Sequence, residues 1–182
     1  MRTLLARWRV SIGFVFGVLV LFLAEPTGST LAAGSAIASA GECLRMWASG
    51  HLNKAREVTT SGPYRWLAHP LYVGSAIMGV GLAVIANHFV VTIVIGLYLA
   101  ATLTAAIKSE EAFLRGKFGD RYDRYRRGGA AEAGAERGRR FSLAQALANR
   151  EHRALAGLAV ALLLLILKAT YNGTLWRAAA GQ

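Results

Sequence analysis

The stretch PLYVGSAIMGVGLAVIANHFVVTIVIGLYLAATLTAAI, residues 70–107, decides the class of this chain. No Asp, Glu, Lys or Arg interrupts it, and its one break is the pair Asn87-His88. A helix of about 20 apolar residues crosses a hydrocarbon core of about 30 Å. Residues 70–86 and 89–107 therefore read as a hairpin of two membrane helices. Outward from the hairpin lie three more apolar blocks. Residues 10–24 end at Glu25-Pro26, and about 154–171 contain the run Leu162–Leu167. Residues 29–47 are rich in Gly, Ala and Ser, as in a helix that packs closely against neighbouring membrane helices.

The composition agrees. The chain has 182 residues, 54% of them apolar and 17% charged, against roughly 25% charged in an average soluble domain. Disorder is excluded by the apolar content, and a disulfide framework by the single cysteine, Cys43. The net charge of +11 is not spread as a nucleic-acid surface. Of the 21 Lys and Arg, 19 fall in 1–9, 45–65 and 108–153, between the apolar blocks. That is the positive-inside pattern. Five spans with a cytoplasmic N-terminus put all three basic segments on one side. The expected fold is an all-α integral membrane protein of about five transmembrane helices, a single domain over 1–182 with a cytoplasmic-side pocket. Residues 1–24 also resemble a signal peptide, but the spans that follow favour a retained helix.

Segment 108–153 divides in two. Residues 108–125 read as an amphipathic helix, with Phe113, Leu114, Phe118, Tyr122 and Tyr125 on one side and Arg115, Lys117, Arg121 and Arg124 largely on the other. Such a helix suits an anionic membrane surface. Residues 128–140 read as a Gly- and Ala-rich linker.

Three polar groups sit on the cytoplasmic rim. Glu42 and Arg45 are three residues apart and share a helix face. They form either an interfacial ion pair or an arginine oriented toward an anionic substrate group. In Ser61-Gly62-Pro63-Tyr64-Arg65-Trp66-Leu67-Ala68-His69-Pro70-Leu71-Tyr72-Val73-Gly74, Pro70 suits the first position of a helix. The helix entrance beside His69 can receive an anion. Tyr64, Trp66 and Tyr72 offer ring faces or, alternatively, form an interfacial aromatic belt. Glu110-Glu111 follows the fourth block, and one of the two can face inward to receive an ammonium or hydroxyl. No metal set is expected, because His51, His69, His88 and His152 are dispersed.

These elements together resemble the isoprenylcysteine carboxyl methyltransferase family, which is related to phospholipid N-methyltransferases. The matching motifs are Gly41-Glu42-x-Leu44-Arg45, Ser61-Gly62-Pro63-Tyr64, His69-Pro70-x-Tyr72-x-Gly74, Glu110-Glu111-x-x-Leu114 and Phe118-Gly119-x-x-Tyr122-x-x-Tyr125, within a core of residues 41–127. The resemblance implies a multi-pass membrane enzyme, bacterial by its Ala-, Gly- and Arg-rich usage. It would bind S-adenosyl-L-methionine at the cytoplasmic rim and methylate a lipophilic carboxylate or thiol. It implies cofactor contacts for Tyr64, His69, Tyr72, Gly74, Glu110 and Glu111. Gly79-x-Gly81 resembles the glycine motif of the phospholipid enzymes. Arg45, oriented by Glu42, would meet the acceptor. One departure stands out: the family has Arg immediately before His-Pro, where this chain has Ala68. Either Arg65 replaces that arginine or the acceptor differs. The alternatives are phospholipid N-methylation, a reductase of related architecture, and a non-enzymatic membrane scaffold.

Overall fold

The structure is a computed structural model that describes residues 17–54, 56–128 and 140–175. Arg2, Arg7, Arg9, the start of the first block and nearly all of the expected linker lie outside the described residues. Every regular element within them is helical.

Residues 17–23 are helical and stop before Glu25-Pro26. Helix α1, Gly28–His51, begins at Thr27, whose side chain accepts a hydrogen bond from Thr30 N–H while the Thr30 hydroxyl accepts from Thr27 N–H. This reciprocal pair satisfies two of the donors that a helix start leaves open. A 3-10 turn, Gly62–Arg65, precedes helix α2, Pro70–Ala86, which has proline at its first position. Asn87 closes α2 in the left-handed conformation, with φ 47°. Helix α3, Phe89–Phe118, follows at once. The Asn87 amide donates to Glu25 O, and Glu25 N–H donates to Ala86 O. Both turns therefore lie at one end of the bundle.

The amphipathic segment differs from expectation. The fourth block does not end near 107. It continues without a break to Phe118, so Glu110 and Glu111 ride on the same rigid rod as the membrane-crossing part. The break comes at Gly119, whose φ of 49° favours glycine. Helix α4, Asp120–Gly128, then turns back. Tyr122 and Tyr125 pack with Val58, Ala68, Leu114 and Phe118. This aromatic face covers the 58–68 loop rather than lipid, although Phe113 remains exposed.

A short helix absent from the sequence reading, α5, Leu143–Ala148, folds onto the end of α1. The Asn149 amide donates to Ser49 O and Leu52 O, and the Gln145 amide donates to Leu52 O. Helix α6, His152–Tyr171, then runs the length of the bundle to the opposite end, where the Thr174 hydroxyl donates to Pro26 O.

Small residues let α1 and α2 meet backbone to backbone. A Cβ added at Gly41 would lie 2.6 Å from Gly74 O, and one at Gly81 would lie 2.5 Å from Ala38 N. The apolar core sits beyond this seam, around Leu31, Ile85, Val91, Ile95 and Leu165. Among the described residues, α3 and α6 are long and apolar enough to cross a membrane, while α2, with 17 residues, is shorter. Their outer faces are open: Phe89 is 79% exposed and Leu97 67%. A soluble protein rarely leaves so much apolar surface uncovered, and lipid is the solvent that suits it.

Candidate active site

The end of the bundle opposite the Asn87 turn gathers the polar groups in two adjoining clusters. The first is centred on Arg45. Its Nε lies 3.5 Å from Glu42 Oε2, one turn back on α1. Its Nη1 donates to Leu71 O at 3.3 Å and to the Ser75 hydroxyl, both on α2. Its Nη2 lies 2.7 Å from Glu151 Oε1, immediately before α6. One guanidinium therefore joins three helices. Glu42 and Glu151 are buried at 4% and 5% exposure, so the arginine offsets only part of the desolvation of two carboxylates that share it.

The second cluster is built where α2 starts and α3 leaves the apolar zone. His69 Nε2 lies 3.1 Å from Glu111 Oε1, with the ring nitrogen as donor. Arg126 reaches the same oxygen at 3.1 Å from α4, and Arg115 lies 3.6 Å from Oε2. Glu111 is thus claimed by three basic side chains. Glu110 instead lies beside the Tyr72 hydroxyl. The adjacent carboxylates consequently serve different neighbours, as their roughly 100° separation around a helix requires. The His69 and Tyr72 rings stand 5.8 Å apart.

Tyr64 links the two clusters. Burial, reinforced by the carboxylates of Glu110, Glu151 and other nearby groups, pushes its phenol well above the usual range. The Tyr125 hydroxyl donates to Tyr64 O at 2.8 Å and to Leu67 O at 3.3 Å, locking the loop that carries Tyr64. Burial, then the neighbouring Tyr122, pushes the Tyr125 phenol up to about 12.

The sequence-derived candidates thus separate into groups. Glu42, Arg45, Tyr64, His69, Tyr72, Glu110 and Glu111 come together at this end. Gly74 lies there too, but its open side is filled by Arg45, whose Cγ would be 2.5 Å from an added Cβ. Gly79 packs against Leu99 and Gly81 against Ala38 and Gly34, so both serve helix contact. Arg65 is exposed at the end of the 3-10 turn and joins neither cluster. Ala68, at the family's arginine position, packs on the tyrosine pair instead. The sequence reading missed Glu151 and Arg126. Glu151 carried no signal, being one charge between Arg150 and His152 at the mouth of an apolar block. Arg126 was hidden in a run of like charges.

A separate apolar cavity of about 450 Å³ lies in the bundle between residues 17–21, Leu82, Tyr98, Leu99 and α6. Of the predicted site residues only Gly79 touches it.

The family model for phospholipid methyltransferases matches residues 14–121. The chain is 34% identical over 93 residues to the protein-S-isoprenylcysteine O-methyltransferase of Schizosaccharomyces pombe, covering 51% of this chain and 39% of that protein. It is 30% identical over 121 residues to the cobalt-zinc-cadmium resistance protein CzcN of Cupriavidus metallidurans, covering 61% and 55%. To the nickel-cobalt-cadmium resistance protein NccN of Alcaligenes xylosoxydans xylosoxydans it is 32% identical over 85 residues, covering 46% and 39%. The chain spans about two-fifths to just over half the length of these relatives. No solved structure matches it. With more than half of its residues inside the family model, and with the isoprenylcysteine-type resemblance supported by the yeast relative, this chain belongs to the phospholipid methyltransferase family.

Proposed function

We propose that the chain is a multi-pass membrane methyltransferase that uses S-adenosyl-L-methionine to methylate a lipophilic acceptor, a prenylcysteine-like carboxylate or a thiol. The single observation that carries the reading is the meeting of His69, Tyr72, Glu110 and Tyr64 beside Arg45 at one end of an apolar bundle. The residues suit the cofactor in charge and shape. The α2 start has no side-chain cap; Pro70 carries no N–H and those of Tyr72 and Val73 donate to His69 O, which leaves the Leu71 N–H for a carboxylate. Glu110 offers an acceptor for an ammonium, and the tyrosine rings offer faces for a purine. Tyr122 adds a buried hydroxyl without a hydrogen-bond partner. When bound, the cofactor supplies an electrophilic methyl group: the acceptor's lone pair forms the new bond while the carbon–sulfur electron pair returns to sulfur.

The chain's own work is positional. A carboxylate already holds its lone pair, so no strong base is required, and orientation can contribute roughly 7–11 kcal/mol. Arg45 holds the acceptor anion, Glu42 steadies Arg45, and Tyr64 and Tyr72 separate the two halves of the site from water. The apolar cavity, rimmed by the exposed Val18 and Val160, suits the entry of a lipid chain from the bilayer. Five crossings are supported by the antiparallel run of residues 17–23, α1, α2, α3 and α6. A cytoplasmic site is supported by the basic residues around it, including Arg115, Arg121, Arg126 and Arg153, and a bacterial inner membrane by the Ala-, Gly- and Arg-rich usage of the chain.

Calorimetric titration of S-adenosylhomocysteine into the detergent-solubilised chain tests the reading. Micromolar binding that His69→Ala abolishes is the expected result. Absence of binding to a folded sample would leave the scaffold alternative standing.

A further inference from the structure

Arg45 is already occupied. Its Nη1 is held by Leu71 O and Ser75, and its Nη2 faces the Glu151 carboxylate at 2.7 Å. An acceptor carboxylate has no free fork of the guanidinium to grip while Glu151 stays there. The contact is nonetheless poorly satisfied. Glu42 Oε1 and Oε2, Arg45 Nε and Glu151 Oε1 are all buried without a properly aligned hydrogen-bond partner. Buried polar atoms of this kind are rare in a settled interior. Glu151 also follows Arg150, a non-glycine residue at φ 64°. The carboxylate is delivered by the α5 turn, which Asn149 and Gln145 fix to the end of α1.

Building on the methyltransferase reading, we propose that Glu151 is a built-in stand-in for the acceptor's carboxylate. It occupies Arg45 Nη2 in the resting chain and exchanges with the substrate anion. The exchange replaces one carboxylate by another, so the charge facing Arg45 is conserved. What changes is that Glu151, buried to 5% exposure in the resting chain, is released from the interior. Glu151 therefore weakens the binding of anionic acceptors and keeps Arg45 oriented until one arrives. It is a positioning residue, since it acts through Arg45.

The test compares the full chain with Glu151→Gln in detergent, using an S-prenylated N-acylcysteine and its carboxamide as probes. Calorimetry is expected to give about tenfold tighter binding of the carboxylate to Glu151→Gln, equivalent to losing one competing charge contact of about 1.4 kcal/mol. Carboxamide binding stays unchanged. Arg45→Gln added to Glu151→Gln removes the gain. In turnover, KM for the carboxylate falls while kcat stays within about twofold, a split that a merely structural role does not produce. Equal or weaker carboxylate binding to Glu151→Gln overturns the proposal. So does a gain shared by the carboxamide. If Glu151→Gln does not fold, Glu151→Asp withdraws the carboxylate by one methylene and must show a several-fold gain; no gain overturns the proposal equally. A wild-type chain that turns over no acceptor refutes the methyltransferase reading alone, because the binding comparison needs no turnover.

Discussion

Arg45 ties three helices together, since it faces carboxylates on α1 and at the start of α6 and bonds α2. Replacing it with Leu leaves Glu42 and Glu151 buried without their cation, which costs about 3–5 kcal/mol. A denaturant titration of Arg45→Leu should show that loss, and adding Glu151→Gln should recover part of it. Full additivity of the two changes would mean that the pair does not interact. Tyr125 gives a pH-dependent case. Its phenol is held at about 12 in the folded chain, against about 10 for an unfolded tyrosine. The neutral form is the one stabilised, so its contribution is full below about pH 10 and is lost as pH rises through about 12. Below pH 10, Tyr125→Phe should lie about 1 kcal/mol below wild type through the lost hydrogen bond. The gap should close by about pH 12 in melts followed across that range. The i, i+3 spacing of Glu42 and Arg45 made their pairing legible in the sequence. Glu151 stood more than 100 positions away, and only the backfold of α5 brings it in.

At the scale of elements, the glycines divide by what faces them. Gly41→Ala would drive a methyl into Gly74 O at 2.6 Å and Met78 N at 2.7 Å. Both are backbone atoms that cannot yield, so a loss of about 1–3 kcal/mol is expected. Gly96, in the middle of α3, has nothing within 4 Å of an added Cβ. Gly96→Ala should therefore be neutral or gain up to about 1 kcal/mol from helix propensity. Thermal melts of the two variants in one detergent compare them directly, and similar losses in both would contradict the α1–α2 seam. The small-residue richness of 29–47 announced such a seam, though not its partner. Gly79 and Gly81 show the limit of motif reading, since a short side chain looks alike whether it admits a ligand or a neighbouring helix. Amphipathicity was ambiguous in the same way. It showed that one side of residues 108–125 is covered, but lipid and the 58–68 loop are equally apolar partners for Tyr122 and Tyr125.

For the whole molecule, the apolar blocks and their polarity were readable because membrane helices must keep long uninterrupted runs. The rigid extension of α3 to Phe118 was not, because a helix leaving the membrane carries polar residues without any break in its backbone. Bundle closure depends on Lys168, whose ammonium donates to Leu21 O and Phe22 O at the end of the 17–23 helix. A cation there satisfies carbonyls that the helix end leaves open. Lys168→Met should loosen the 17–23 segment from α6 and lower the melting temperature, with limited proteolysis cutting near residues 24–27 first. An unchanged cleavage pattern would show that apolar packing alone holds that segment.

The two ends of α6 are thus pinned by charge, Glu151 on Arg45 at one and Lys168 on backbone carbonyls at the other. A helix fastened in this way has no freedom to slide, because an axial step of one residue, about 1.5 Å, would break both pins together. It can tilt once either pin opens. Lys168 stands 17 residues, or about 26 Å, from Glu151. Carrying Glu151 about 3 Å away from Arg45 then takes a swing of only about 7° around Lys168 as a fulcrum. The last helix is geometrically a lever, long enough that a small rotation inside the membrane becomes a bond-length event at the rim.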